Sequence, residues 1–134
     1  MTGHSIGLDI ESTDDLIVRL KRGLPTSAFD RLRDELGLAA EALAALTGVS
    51  TRTLARRKKR HEPLAPDTSE RLLRLARLYE IATDVLGDED EARRWLKSPN
   101  VALAGQAPLD YADTEPGARE VEDLLGRLAD GVFV

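Results

Sequence analysis

Apolar residues recur along this chain with helical spacing, and no segment sustains the period of two that a half-buried strand needs. The pattern predicts a succession of helices punctuated by Gly and Pro. The first runs from Thr13 to Arg22, capped by Ser12, with Leu16, Val18 and Leu20 supplying apolar contacts and Gly23 ending it. Pro25-Thr26-Ser27 opens a second through Leu36, where Phe29, Leu32 and Leu36 stand three and four residues apart and Gly37 closes the run. A third covers about Ala39 to Leu46. The tight turn Thr47-Gly48-Val49 follows, and Ser50 caps a fourth helix from Thr51 to about Arg60.

Beyond the break Pro63-Leu64-Ala65-Pro66, Asp67 or Thr68 starts the longest helix, to about Leu86. Leu72, Leu75, Tyr79, Ala82 and Leu86 form its stripe, with Leu78 and Val85 widening it, and Gly87 stops it. Asp88 caps a helix to Lys97 that carries Trp95. Ser98-Pro99-Asn100 restarts the chain into a short turn ending at Gly105, and Pro108 to Ala112 forms one more turn. Asp113 or Thr114 then caps a last helix with Pro116 in its first turn and Leu124, Leu125 and Leu128 on one face. The expected fold is all-α.

Composition agrees: 42% of the 134 residues are hydrophobic but only 4% are aromatic, and the apolar mass is Leu and Ala. The absence of Cys excludes disulfides, thiolate metal sites and a cysteine nucleophile. His4 and His61 have no metal-ligand spacing, so neither a metal nor a cofactor is expected. The carboxylates Asp88 to Glu91 crowd a helix start, where they favour the macrodipole without any catalytic role. No glycine-rich loop follows a strand, and an enzyme is not expected. Met1 to Asp15 lacks the pattern of a secretory signal, and no run approaches the ~18 apolar residues of a membrane span. A cytoplasmic protein without a membrane partner is expected.

Charge changes the picture more. Met1 to Glu80 holds 14 basic and 12 acidic side chains (+2), whereas Ile81 to Val134 holds 5 and 12 (−7). Thr51 to Arg60 alone carries six basic residues and no acid. Two kinds of partner are expected, one polyanionic and one that favours an acidic surface.

Glu41 to Arg57 points to the first. Ala44 precedes Gly48 by four residues, Val49 follows the glycine, and Leu54 lies five residues on. Two helices crossing steeply need this order: a small residue at the contact, a turn residue tolerant of positive φ, and apolar residues facing inward. The spacing resembles the helix-turn-helix of the phage-repressor-like Xre family. Ser50, Thr51, Arg52 and Thr53 then occupy the first turn that meets base edges, with Arg56 one turn on. Arg57, Lys58 and Lys59 are placed to reach phosphates, as is Arg60. Arg57 is a departure, standing where that family's second helix usually stays apolar, so a shorter or tilted helix is expected.

The C-terminal half carries an ordered series: Trp95, Pro99-Asn100, Leu103-Ala104-Gly105-Gln106-Ala107-Pro108 and Thr114-Glu115-Pro116-Gly117, with a last helix ending near Gly131. The series resembles the toxin-binding domain of the Xre/MbcA/ParS antitoxins. That resemblance implies an antitoxin that occludes the active site of an NAD-degrading RES-domain toxin and, as a dimer, represses its own operon. It implies as partners the cognate toxin, operator DNA, a second copy and a larger hetero-oligomer with toxin. It implies toxin contacts from Trp95, Asn100, Leu103, Tyr111, Thr114, Asp123, Arg127, Asp130, Gly131, Val132, Phe133 and Val134, with Asp123, Asp130 and the terminal carboxylate as phosphate surrogates. The expected organisation is residues 1–25 as an N-terminal segment with a helix, 26–86 as the helix-turn-helix and dimerisation domain, and 87–134 as the toxin-binding domain. The competing reading is a stand-alone regulator whose C-terminal half dimerises or senses a small molecule.

Overall fold

A computed structural model describes residues 3–131. Its elements are a short 3-10 turn (His4–Ile6), α1 (Thr13–Arg22), α2 (Thr26–Leu36), α3 (Ala40–Thr47), α4 (Thr51–Lys59), α5 (Pro66–Leu86), α6 (Glu89–Lys97), a second 3-10 turn (Val101–Leu103), α7 (Pro108–Tyr111) and α8 (Glu115–Ala129). There is no strand among the described residues. The fold is all-helical, and it comprises two compact units, one up to Ala76 and one from Arg77 onward.

The first unit is organised around α2, whose Ala28, Phe29, Leu32 and Leu36 are all fully buried. Leu43 and Ala44 of α3, Leu54 of α4, and Leu72 and Leu75 of α5 complete this core. Two extended segments are stitched together beside it. Leu64 N–H donates to the Leu24 carbonyl (2.8 Å) and Leu24 N–H donates to Ser69 Oγ (2.8 Å). Gly23, at φ 91°, admits this approach because a Cβ there would fall on the Leu64 carbonyl oxygen.

Two features of the N-terminal stretch differ from the sequence expectation. The turn His4–Ile6 packs on α2, with Ile6 and Ile10 buried. A three-residue turn is too short to show periodicity, which is why the pattern missed it. Helix α1 forms at the expected bounds but contains no buried residue. Val18 is 47% and Ile17 43% exposed, while Leu16 and Leu20 are half-buried. Its formation rests on local terms: the Ser12 cap accepts from Asp15 N–H, acids begin the helix, Arg19, Lys21 and Arg22 end it, and Arg19 pairs with Asp15 at 3.1 Å. The Arg19 guanidinium, bonded to the Asp15 carboxylate, holds that group below the usual carboxylate range.

In the second unit, Leu78, Tyr79 and Ala82 of α5 lie in a core with Ala92 and Leu96 of α6, Leu109 of α7 and Val121, Leu124 and Leu125 of α8. Asp88 caps α6 by accepting from Glu91 N–H, and Thr114 caps α8 by accepting from Gly117 N–H. Arg93 donates to Asp90 (2.7 Å) and to the Tyr79 hydroxyl (3.2 Å). The bond from Arg93 holds the Asp90 carboxyl below its ordinary range. Arg77 of α5 donates through Nε to Glu122 of α8 at 2.6 Å.

Candidate DNA-binding and partner-binding surfaces

The turn between α3 and α4 takes the expected form. Gly48 adopts the left-handed conformation at φ 69°, and Val49 N–H donates to the Ala44 carbonyl at 3.0 Å. Ala44 and Leu54 are buried, and Thr47 turns its hydroxyl back to the Leu43 carbonyl (2.8 Å), which allows a polar side chain inside the crossing. A Cβ on Gly48 would also meet the Arg71 guanidinium of α5. Ser50 then starts α4 by accepting from Thr53 N–H at 3.0 Å, and its hydroxyl pairs with that of Thr53 at 2.9 Å.

The expected DNA-contacting residues divide into two sets. Thr51, Arg52 and Arg56 are exposed, and Lys59 and Arg60 continue the same side one turn on. This is the arrangement a recognition helix needs at its exposed face. Arg57 and Lys58 are instead tied into their own unit. Arg57 is half-buried and donates to the Pro63 carbonyl at 2.8 Å; Lys58 pairs with both carboxylate oxygens of Asp30 on α2, at 2.9 and 2.7 Å. The aliphatic stem of Arg57 thus fills the position that an apolar residue would hold, with its head bonded to backbone. Helix α4 ends at Lys59, one residue before the expected bound.

In the second unit, Leu103 is 2% exposed and serves as core, while Trp95 and Tyr111 are half-buried. Asn100 organises its own loop: its Oδ1 accepts from Ala102 N–H at 2.9 Å and its carbonyl accepts from Leu103 and Gly105. Thr114 is spent on the α8 cap. Asp123, Arg127, Asp130 and Gly131 are all exposed. With Glu120, the first three form a stripe at spacings of three and four along α8, opposite buried Val121, Leu124 and Leu125. Glu120 escaped the sequence reading, although its position three residues before Asp123 placed it on that face. Val132, Phe133 and Val134 lie outside the described residues.

Gln106, Tyr111, Asp113, Thr114, Pro116, Gly117 and Glu120 line an open cleft of about 340 Å³ where α7 meets α8. Gly117 makes that junction possible, since the Tyr111 carbonyl oxygen occupies the place of its missing Cβ. Among the described residues no group of three or more His, Asp or Glu could hold a metal ion, and no helix is long and apolar enough to cross a membrane.

These two surfaces coincide with two known domain families. Residues 15–77 match the Antitoxin Xre-like helix-turn-helix domain, and residues 82–131 match the Antitoxin Xre/MbcA/ParS C-terminal toxin-binding domain. The chain is 33% identical to an Antitoxin Xre of Yersinia enterocolitica over 97% of its own length and 88% of the relative's. It is 30% identical to an Antitoxin Xre of Photorhabdus laumondii, over 96% and 88%. A protein of a Sphingobium species named "Prs ADP-ribosylating antitoxin" is 27% identical over 89% and 80%. With a helix-turn-helix in its first half and the toxin-binding domain in its second, the chain belongs to the Xre antitoxin family.

Proposed function

We propose that this antitoxin neutralises a RES-domain toxin that consumes NAD, by laying its C-terminal domain over the toxin's active site. The exposed stripe of α8, three carboxylates with Arg127 among them, carries the reading. A pocket that binds a dinucleotide must present cationic groups to the pyrophosphate, and Glu120, Asp123 and Asp130 offer carboxylates to the same groups. The relative named for ADP-ribosylation supports this class of toxin, because ADP-ribosyl transfer also starts from NAD. Val132, Phe133 and Val134 belong to the docking segment in this proposal, with Tyr111, which shares a cleft with Glu120, and Trp95 as further toxin contacts. The other half binds operator DNA through α4 and represses the operon. It does so as a homodimer, for which Ile17 and Val18 of α1 supply apolar surface to bury. The unit up to Ala76 and the unit from Arg77 then take one task each, so the division falls about ten residues before the expected boundary at 86/87.

Reversing charge on the stripe tests the toxin contact. Asp123→Lys with Asp130→Lys is expected to weaken toxin binding by about 100-fold in low salt, with a smaller effect at high salt. Both side chains are exposed, so the melting temperature should hold within a few degrees. Toxin affinity measured by calorimetry that did not change would contradict the assignment of α8.

A further inference from the structure

The loop between α6 and α7 holds a feature that the acidic stripe does not explain. Val101 is 95% exposed, while Leu103 two residues later is 2% exposed. Single exposed apolar residues are ordinary, so exposure alone decides nothing. What sets this one apart is the frame around it. Asn100 N–H donates to the Gln106 carbonyl (3.0 Å), the Asn100 carbonyl accepts from Leu103 (3.0 Å) and Gly105 (2.9 Å), and Gln106 N–H donates to the Leu103 carbonyl (3.1 Å). Asn100 Oδ1 adds the bond from Ala102 N–H, and Ala104 turns the chain at φ 57°. Leu103 anchors this closed loop in the core. Val101 therefore projects from a hydrogen-bonded frame and loses little conformational freedom on binding.

The surroundings indicate what the projection meets. Twelve consecutive residues, Ser98 to Leu109, carry no charge in a chain that is 32% charged, and Pro99, Ala102 and Ala104 are exposed beside Val101. Gln106, which closes the loop, also lines the cleft with Tyr111, Asp113 and Glu120. An apolar projection thus adjoins an acidic rim, the anatomy of a protein interface with a dry centre and a polar edge.

We propose that Val101 is an apolar anchor of toxin recognition, seating in an uncharged depression on the toxin beside the cationic groups that meet α8. The inference rests on the toxin-binding reading of this domain, and the occupant it commits to is the toxin. Because the anchor is small and fixed in place, it selects for a depression of matching size and so contributes to the choice among toxins.

The test uses the full chain and the protein encoded by the adjoining gene, which the proposed function expects to be a RES-domain toxin, with dissociation constants measured by titration calorimetry. Val101→Ser is expected to weaken binding about tenfold to a hundredfold, the effect of removing one buried valine side chain. Val101→Asp weakens it further, and Val101→Ile stays close to the original chain. Melting temperatures remain unchanged, since the side chain faces solvent in the free protein. If the original chain binds tightly and Val101→Asp binds within twofold of it, the anchor is disproved while the toxin-binding reading stands. If the original chain does not bind this protein, both fall.

Discussion

Replacing Gly117 with alanine lowers the stability of the protein by about 3 kcal/mol, and replacing Gly126 with alanine raises it by up to about 1 kcal/mol. Both glycines lie in α8 with ordinary helical backbone, so propensity alone favours alanine by about 1 kcal/mol at each. Space decides between them. A Cβ on Gly126 meets nothing within 4 Å, and that position is exposed. At Gly117 the Tyr111 carbonyl oxygen occupies the Cβ site, and Thr114 Oγ1 would lie only 3.2 Å away. Neither neighbour yields easily. The first is backbone at the end of α7, and the second is the cap of α8 that accepts from Gly117 N–H. Accommodating the methyl group requires parting α7 from α8 or breaking the cap, and either outweighs the propensity gain. At this chain length the destabilisation corresponds to a melting temperature lower by roughly 10 °C. Thermal unfolding of the two variants, followed by circular dichroism, should move in opposite directions. A Gly117→Ala melting temperature at or above that of the original chain would show that the α7–α8 junction has room for a methyl group.

The second large effect belongs to the other half. If α4 reads operator DNA as proposed, Arg52→Ala combined with Arg56→Ala should reduce affinity for that DNA by about 10²- to 10³-fold at fixed salt, as expected when two arginines worth ~1–3 kcal/mol each no longer reach the DNA. Both side chains are exposed on α4, so folding should be unaffected. Toxin neutralisation should also be unaffected, because these residues lie in the helix-turn-helix unit and not in the toxin-binding domain. The salt dependence carries further information. Each phosphate left without its cation reduces the slope of log affinity against log salt by about one. Lys58, already paired with Asp30, should contribute less to that slope than Lys59. Anisotropy titrations across a salt series give both quantities. An unchanged affinity in the double variant would remove α4 from the interface.

Much of the helical order is legible in the sequence because caps and stops are chemically distinct. Ser12, Ser50, Asp88 and Thr114 each accept a backbone hydrogen bond at the helix start that their position suggested, and Gly23, Gly37 and Gly48 end helices at positive φ. Burial is less legible where periodicity is absent or incomplete. The apolar run of α1 shows that a face exists and says nothing about whether this chain covers it. Around the turn Val101–Leu103, three residues supply no period by which to tell the inward Leu103 from the outward Val101. Arg57 shows a different gap. A charge in an apolar register suggests distortion, yet a long stem ending on the Pro63 carbonyl keeps the helix in place.

Neutralisation of an NAD-consuming toxin by direct binding requires that the two proteins form a complex in the cell. It is tested by co-expression with the product of the adjoining gene, purification of any complex, and assay of cellular NAD. A stable complex, with NAD and growth held at the level of cells lacking the toxin, is the predicted result. Failure to form a complex, with NAD still collapsing in the presence of the folded chain, would exclude neutralisation by binding.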